Sequence, residues 1–400
     1  MPDGRHRKLA RLLVEFGANV QPGQIVSVAA YVGGQEELAR AVAGAAYEAG
    51  ARFVDVAWFD PLVKRERIAH AAEDSLDFAP SWYGHRAEQL GEQRCARVSF
   101  SGIVAPEAMD GLDPALAGRD QLPFQREIPQ LISDRTTNWT IGPCATREWA
   151  HVVHPELPED EAYERLWQQL EHVLRLDEPD PVAAWEERIA TLNANAARLT
   201  ERRLDAIRLE GPGTDLTVGL LPSSRFQAAD FETVDGLRHM PNLPTEEVFT
   251  TPDPVRADGH VTSTKPLALR DGTIIRGLRV RFVGGRAVEI EADENAAGLR
   301  SLAAMDEGAC RLGELALVDR EGRIGPLSTV FYDTLLDENA ASHIAIGSGF
   351  LFAVADEDHE RINTSATHVD FMVGSEELDV TGIERGGARV PVLRGGSWQL

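Results

Sequence analysis

The sequence predicts an α/β protein in two parts: an open, mostly parallel α/β amino-terminal domain with a helical connector over residues 1–204, followed by an α+β domain over residues 205–400. Three observations carry that expectation. Short apolar runs rich in β-branched residues alternate with helical stretches through the first part. A helical pattern then fills residues 159–204, and short β segments separated by turn residues follow it.

Residues 1–20 set Leu9, Leu12, Leu13 and Phe16 among Arg5, Arg7, Lys8, Arg11 and Glu15. This is the pattern of an amphipathic helix, without the unbroken apolar centre of a signal peptide. Residues 24–30 (QIVSVAA) read as a strand and 35–49 as a helix that Gly50 stops, with 51–58 (ARFVDVAW) as the next strand. That spacing suits a right-handed parallel crossover. Residues 95–101 (CARVSFS) and 138–142 (NWTIG) supply two further strands. Gly33-Gly34 lies between a strand and a helix, as a phosphate loop would, but GxGxxG is not completed, which argues against a nucleotide site.

Between 159 and 204, Trp167, Leu170, Val173 and Leu174 form one helical face, and Trp185, Ile189, Leu192, Ala196 and Leu199 form another. Residues 177–181 (DEPDP) break the two helices apart. Strand patterns then appear at 206–209, 215–219, 276–283 and 287–292, with hairpin signals at Asp271-Gly272 and Gly284-Gly285.

Of the 400 residues, 43% are hydrophobic and 26% charged, ordinary values for a chain that buries a core. Forty Lys and Arg stand against 64 Asp and Glu, a net charge of −24 that argues against nucleic acid or an anionic membrane as partner. The three cysteines, Cys95, Cys144 and Cys310, are too few and too scattered for a disulfide framework or a zinc knuckle, and they point to a reducing cytoplasm. No apolar run is long enough to span a membrane.

Chemistry concentrates in four segments of the second half: NLPTEEVF (242–249), LGELAL (312–317), DENAASH (337–343) and HVDF (368–371). His368 and Asp370 are two apart in a β-type run, so strand alternation turns both to one face while Val369 and Phe371 take the other. Glu314 heads a buried run, where a carboxylate needs a cation or a donor to offset its desolvation. Glu246 and Glu247 are neighbours, so an extended backbone sends only one of them into a site. Each residue alone also has a plain structural reading: His343, expected on a helix, caps or packs, and Glu314 bonds an arginine. Together the histidines and carboxylates form a donor mixture suited to Zn²⁺, Mn²⁺ or Co²⁺.

These segments, with WTIG (139–142), EWA (148–150), FYDTLLDENAASHIAIG (331–347) and LDVTG (378–382), resemble the aminopeptidase T and aminopeptidase S family of metal-dependent exopeptidases over most of the chain. The resemblance implies a catalytic metal-binding second domain, a homodimer, and two divalent ions (Zn, Co or Mn) that serve removal of an amino-terminal residue from a peptide or small amide. By motif, the implied ligands are Glu247, Glu314, Glu338, His343, His368 and Asp370. Glu338 is five residues from His343, about 140° around a helix, so it is also the first choice for the proton-relaying base, with Glu247 in reserve. The family segment similar to HIALGxAY ends in a tyrosine that steadies the tetrahedral intermediate, and here Phe350 stands in its place. Two rivals follow: an iron-dependent ring-cleaving dioxygenase on the same scaffold, and a non-catalytic peptide-binding or metal-storage relative.

Overall fold

The computed structural model describes residues 3–117, 119–120, 122–123, 127–269 and 273–400. The chain forms two compact units, one of residues Met1–Trp185 and Asp230–Pro244, the other of Glu186–Ala229 and Thr245–Leu400. The helix Pro181–Arg202 hands over to the strand Leu204–Gly211 at 202–204. The compact units divide inside that helix, with residues 230–244 in the first unit.

The first unit holds a four-stranded sheet ordered Phe53–Phe59, Ile25–Tyr31, Ala96–Ser101, Trp139–Pro143, with every neighbour parallel. Val26, Val28 and Ala30 are buried on the central strand, and the helix Glu36–Glu48 buries Leu38, Ala39, Val42, Ala45 and Ala46 at helical spacing. Gly50 closes that helix with φ of 90°, and a Cβ there would lie 3.2 Å from Pro22. The amino-terminal helix is α over Gly4–Arg11 and continues as a π turn over Leu12–Gly17, with Leu9, Leu12 and Leu13 buried.

The second unit contains an eight-stranded antiparallel sheet ordered Arg286–Glu291, Arg279–Val283, Pro252–Thr262, Thr214–Leu220, Leu204–Gly211, Asp379–Glu384, Arg389–Arg394, Ser397–Trp398. Gly284-Gly285 forms the expected hairpin turn between the first two of these strands. Asp271-Gly272 lies outside the described residues, and the short strands on either side, Leu267–Ala268 and Ile274–Ile275, pair antiparallel. A second sheet of four antiparallel strands, His368–Met372, His343–Gly347, Leu312–Val318 and Glu247–Thr250, carries the chemistry-bearing segments.

One expectation is corrected here. His343 does not sit on a helix. The helix Thr334–Glu338 stops at Asn339, whose side-chain amide donates to the Leu335 carbonyl at 3.0 Å, and His343 opens a buried strand between two others. Pairing on both edges outweighs the helical leaning of the Ala-rich DENAAS run. No described helix is long and apolar enough to cross a membrane.

Candidate metal centre

Sheet register assembles the centre. Residues directly opposed on antiparallel strands share a face. Glu247 is opposed to Val318, Phe249 to Ala316, and Ala316 to His343. Glu314 is opposed to Ala345 and Ala345 to Asp370, while Gly347 faces His368. One face of the sheet therefore carries Glu247, Glu314, His343, His368 and Asp370, and the small side chains of Ala316 and Ala345 between them leave room above it. Gly313 is required beside Glu314, because a Cβ there would come within 2.3 Å of the Gly347 and Ser348 carbonyls.

The side chains converge in two groups that share Glu314: Glu247, Glu314 and His343, then Glu314, His368 and Asp370. Within each, the ligand atoms lie within 4.8 Å of one another. His343 Nε2 is 3.1 Å from Glu247 Oε2, and His368 Nε2 is 3.1 Å from Glu314 Oε2 and 3.2 Å from Asp370 Oδ1. Ligand atoms on a common Zn²⁺-sized ion at about 2.0–2.2 Å stand roughly 3.0–3.5 Å apart. Both imidazoles turn Nδ1 to a backbone carbonyl, His343 to Ala341 at 3.2 Å and His368 to Ser348 at 2.8 Å. A carbonyl only accepts, so each Nδ1 carries a proton and each Nε2 is left to face the carboxylates, as metal-ligating histidines require.

Glu338, the last residue of its helix, stands outside both groups, partly exposed, with Asn339 Nδ2 3.5 Å from its Oε1. The site's charges nonetheless reach it. Burial, then Asp370 and Glu247, push its carboxyl well above the usual range. Burial also raises Glu314, with Asp370 adding to it against the pull of His368. On Asp370 burial is outweighed by His368, and the carboxyl is lowered. Burial opposes protonation of the imidazoles, yet Glu247 holds His343 at about 10, and Asp370 and Glu314 hold His368 well above its ordinary value.

These residues fit a cation. Glu247 Oε2 and Asp370 Oδ1 are buried with no hydrogen bond of acceptable geometry, although an imidazole lies near each. Among the described residues no Lys or Arg pairs with Glu247, Glu314, Glu338 or Asp370, and burying a carboxylate uncompensated costs several kcal/mol. Glu246, by contrast, points away from the centre to Arg188 at 2.5 Å. Sequence reasoning missed Arg188, Asp319, Asn339 and Trp398, which support this face from behind and carry no spacing signal.

The fold and the site define a protein whose carboxylates and imidazoles are grouped as candidate metal ligands. Matched against protein families, residues 3–398 fit the family described as thermophilic metalloprotease (M29). Aminopeptidase T of Thermus aquaticus is 43% identical over 402 residues, covering 98% of both chains. Aminopeptidase PepS of Streptococcus thermophilus is 38% identical, covering 98% of this chain and 97% of its own. The solved structure of wild-type AmpT from Thermus thermophilus superimposes with a TM-score of 0.90 over 99% of each chain, at 41% identity. The chain belongs to the thermophilic metalloprotease (M29) family.

Proposed function

We propose that the chain is a metallo-aminopeptidase that removes the amino-terminal residue of a peptide or small amide, with two divalent ions as its resident cofactors. The observation that carries this reading is the position of Glu314 in both ligand groups. Glu247, Glu314 and His343 would hold one ion, and Glu314, His368 and Asp370 the other. The three carboxylates of the two groups, Glu247, Glu314 and Asp370, are buried without a Lys or Arg among the described residues, and divalent ions would supply the missing positive charge. Aminopeptidase T of Thermus aquaticus, PepS of Streptococcus thermophilus and AmpS of Bacillus subtilis are all aminopeptidases, each similar to this chain over 97–98% of its length, which supports peptide hydrolysis over iron-dependent ring cleavage.

Bound in pairs, divalent ions polarise the scissile carbonyl and acidify a water so that it reacts near neutral pH. The chain supplies the rest. Ser348 and Ala341 fix the imidazole tautomers through Nδ1. Asn339 engages Oε1 of Glu338, leaving Oε2 to take the proton from the attacking water and pass it to the leaving amine; Glu247 is the reserve for this step. Phe350 offers no hydroxyl to the oxyanion. A homodimer and a cytoplasmic location belong to the same reading; three free, buried cysteines are compatible with a reducing compartment.

The shared ligand gives the test. Glu314→Gln should lower occupancy of both ions, His343→Ala of one, as measured by elemental analysis of protein purified without chelator. Equal losses from the two variants would contradict a shared ligand.

A further inference from the structure

A second buried cluster lies behind the ligand face. Arg188, on the helix Pro181–Arg202, is 7% exposed. Its Nε donates to Glu246 Oε2 at 2.5 Å, while Nη1 and Nη2 donate to Asp319 Oδ2 and Oδ1 at 3.1 and 3.0 Å. Asp319 also accepts from the Trp398 indole. The peptide N–H of Glu246 donates to Asn339 Oδ1 at 2.6 Å, and the same amide group reaches Glu338 Oε1 at 3.5 Å.

Each acid or amide in this cluster adjoins a part of the candidate centre. Glu246 precedes Glu247, Asp319 follows Val318, which is opposed to Glu247 across the sheet, and Asn339 follows Glu338. A guanidinium is a planar fork with fixed donor directions, so gripping Glu246 and Asp319 together fixes the end of the sheet where the two ligand-bearing strands pair. With the Glu246 side chain and N–H both held, the chain cannot turn about this point, and alternation then sets the direction of Glu247. Packing alone does not call for such a cluster, since apolar residues of like size stabilise a core at least as well. A fork specifies direction, which apolar contacts do not.

We propose that Arg188 is a positioning residue for the metal centre, clamping Glu246 and Asp319 so that Glu247 presents its carboxylate at the angle a cation requires. The proposal rests on the reading that Glu247, Glu314 and His343 hold an ion.

The test is titration of the full chain with Co²⁺, followed by visible absorption, beside melting of the chelated protein. The variants are Arg188→Lys, which keeps charge and loses the fork, the charge-free triple Arg188→Gln/Glu246→Gln/Asp319→Asn, and Glu246→Gln, which keeps the acceptor. The chelated triple variant and Glu246→Gln should melt near the parent, and chelated Arg188→Lys lower, because an ammonium cannot satisfy both buried carboxylates as the fork does. Co²⁺ affinity should fall about 10–100-fold in the first two, with a changed absorption spectrum, and by less in Glu246→Gln, which keeps one acceptor oxygen for the fork. A parent that binds no Co²⁺ removes the metal reading itself. A parent that binds Co²⁺ with an Arg188→Lys protein equal to it in affinity and spectrum overturns the positioning role alone. Affinity that falls only in step with melting temperature across the variants overturns it as well.

Discussion

Glu246 and Glu247 are adjacent in the chain and serve opposite sides of it: Glu246 lies 2.5 Å from the Arg188 guanidinium, and Glu247 lies 3.1 Å from the His343 imidazole. The two glutamates therefore give unequal phenotypes. Glu246→Gln keeps an acceptor for Arg188 and leaves that arginine with Asp319 as a neutral pair, so stability should change by no more than about 1.5 kcal/mol and activity little. Glu247→Gln removes a candidate ligand, and kcat/KM should fall by more than the roughly 10–100-fold that loss of an outer partner costs. Steady-state kinetics and melting of both variants decide this; equal effects would contradict the facing described.

His368→Ala and Asp370→Ala should each weaken Co²⁺ binding more than a hundredfold while the chelated protein still folds. The opposite face of their strand carries the fully buried Phe371, which neither substitution touches. Calorimetric Co²⁺ titration with circular dichroism of the same samples is the check, and retained affinity in either variant would exclude that residue as a ligand.

Much of this was legible in the sequence. The parallel strands were readable because β-branched runs punctuated by Gly33-Gly34 and Gly50 are local signals, and residues 24–30 match Ile25–Tyr31 to within a residue. The pairing of His368 with Asp370 followed from strand period alone. His343 was misplaced because Ala340 and Ala341 favour a helix locally, while its strand exists only through partners at 312–318 and 368–372. The Arg188, Glu246 and Asp319 cluster joins residues 58 and 131 positions apart, and no periodicity announces such a contact. The return of residues 230–244 to the first unit is equally non-local.

Acid should destabilise the first unit through His239. Burial pushes this imidazole down from 6.5 to about 4, its Nε2 has no partner, and its ring lies 6.3 Å from those of Trp139 and Phe231. Between those two values the unfolded chain binds the proton and the folded chain does not. Stability is therefore fully present above pH 6.5, falls as pH drops towards 4, and changes no further through this group below that. The loss is on the order of 3 kcal/mol. Denaturant unfolding from pH 4 to 7 should show it, and His239→Phe should flatten the profile; parallel profiles for parent and variant would exclude His239 as the source.

Phe350→Tyr tests the missing oxyanion donor. The Phe350 ring is half-buried, stacked on Phe352 at 5.3 Å and 5.3 Å from the His368 ring, beside the candidate centre. A hydroxyl there should raise kcat roughly ten- to a hundredfold with little change in KM, given about 3 kcal/mol for a well-placed donor. A variant as stable as the parent with flat or reduced kcat would show that the phenylalanine is no handicap.

The central claim is that Glu314 joins two cation sites that drive amino-terminal hydrolysis. Its most direct measurement is metal content and turnover of aminoacyl anilides on one preparation, before and after chelation and on stepwise return of Co²⁺, Mn²⁺ or Zn²⁺. The account predicts two ions per chain, loss of activity with EDTA, and recovery that tracks occupancy. Full activity after confirmed loss of all metal, or a single iron with oxygen uptake, would contradict it.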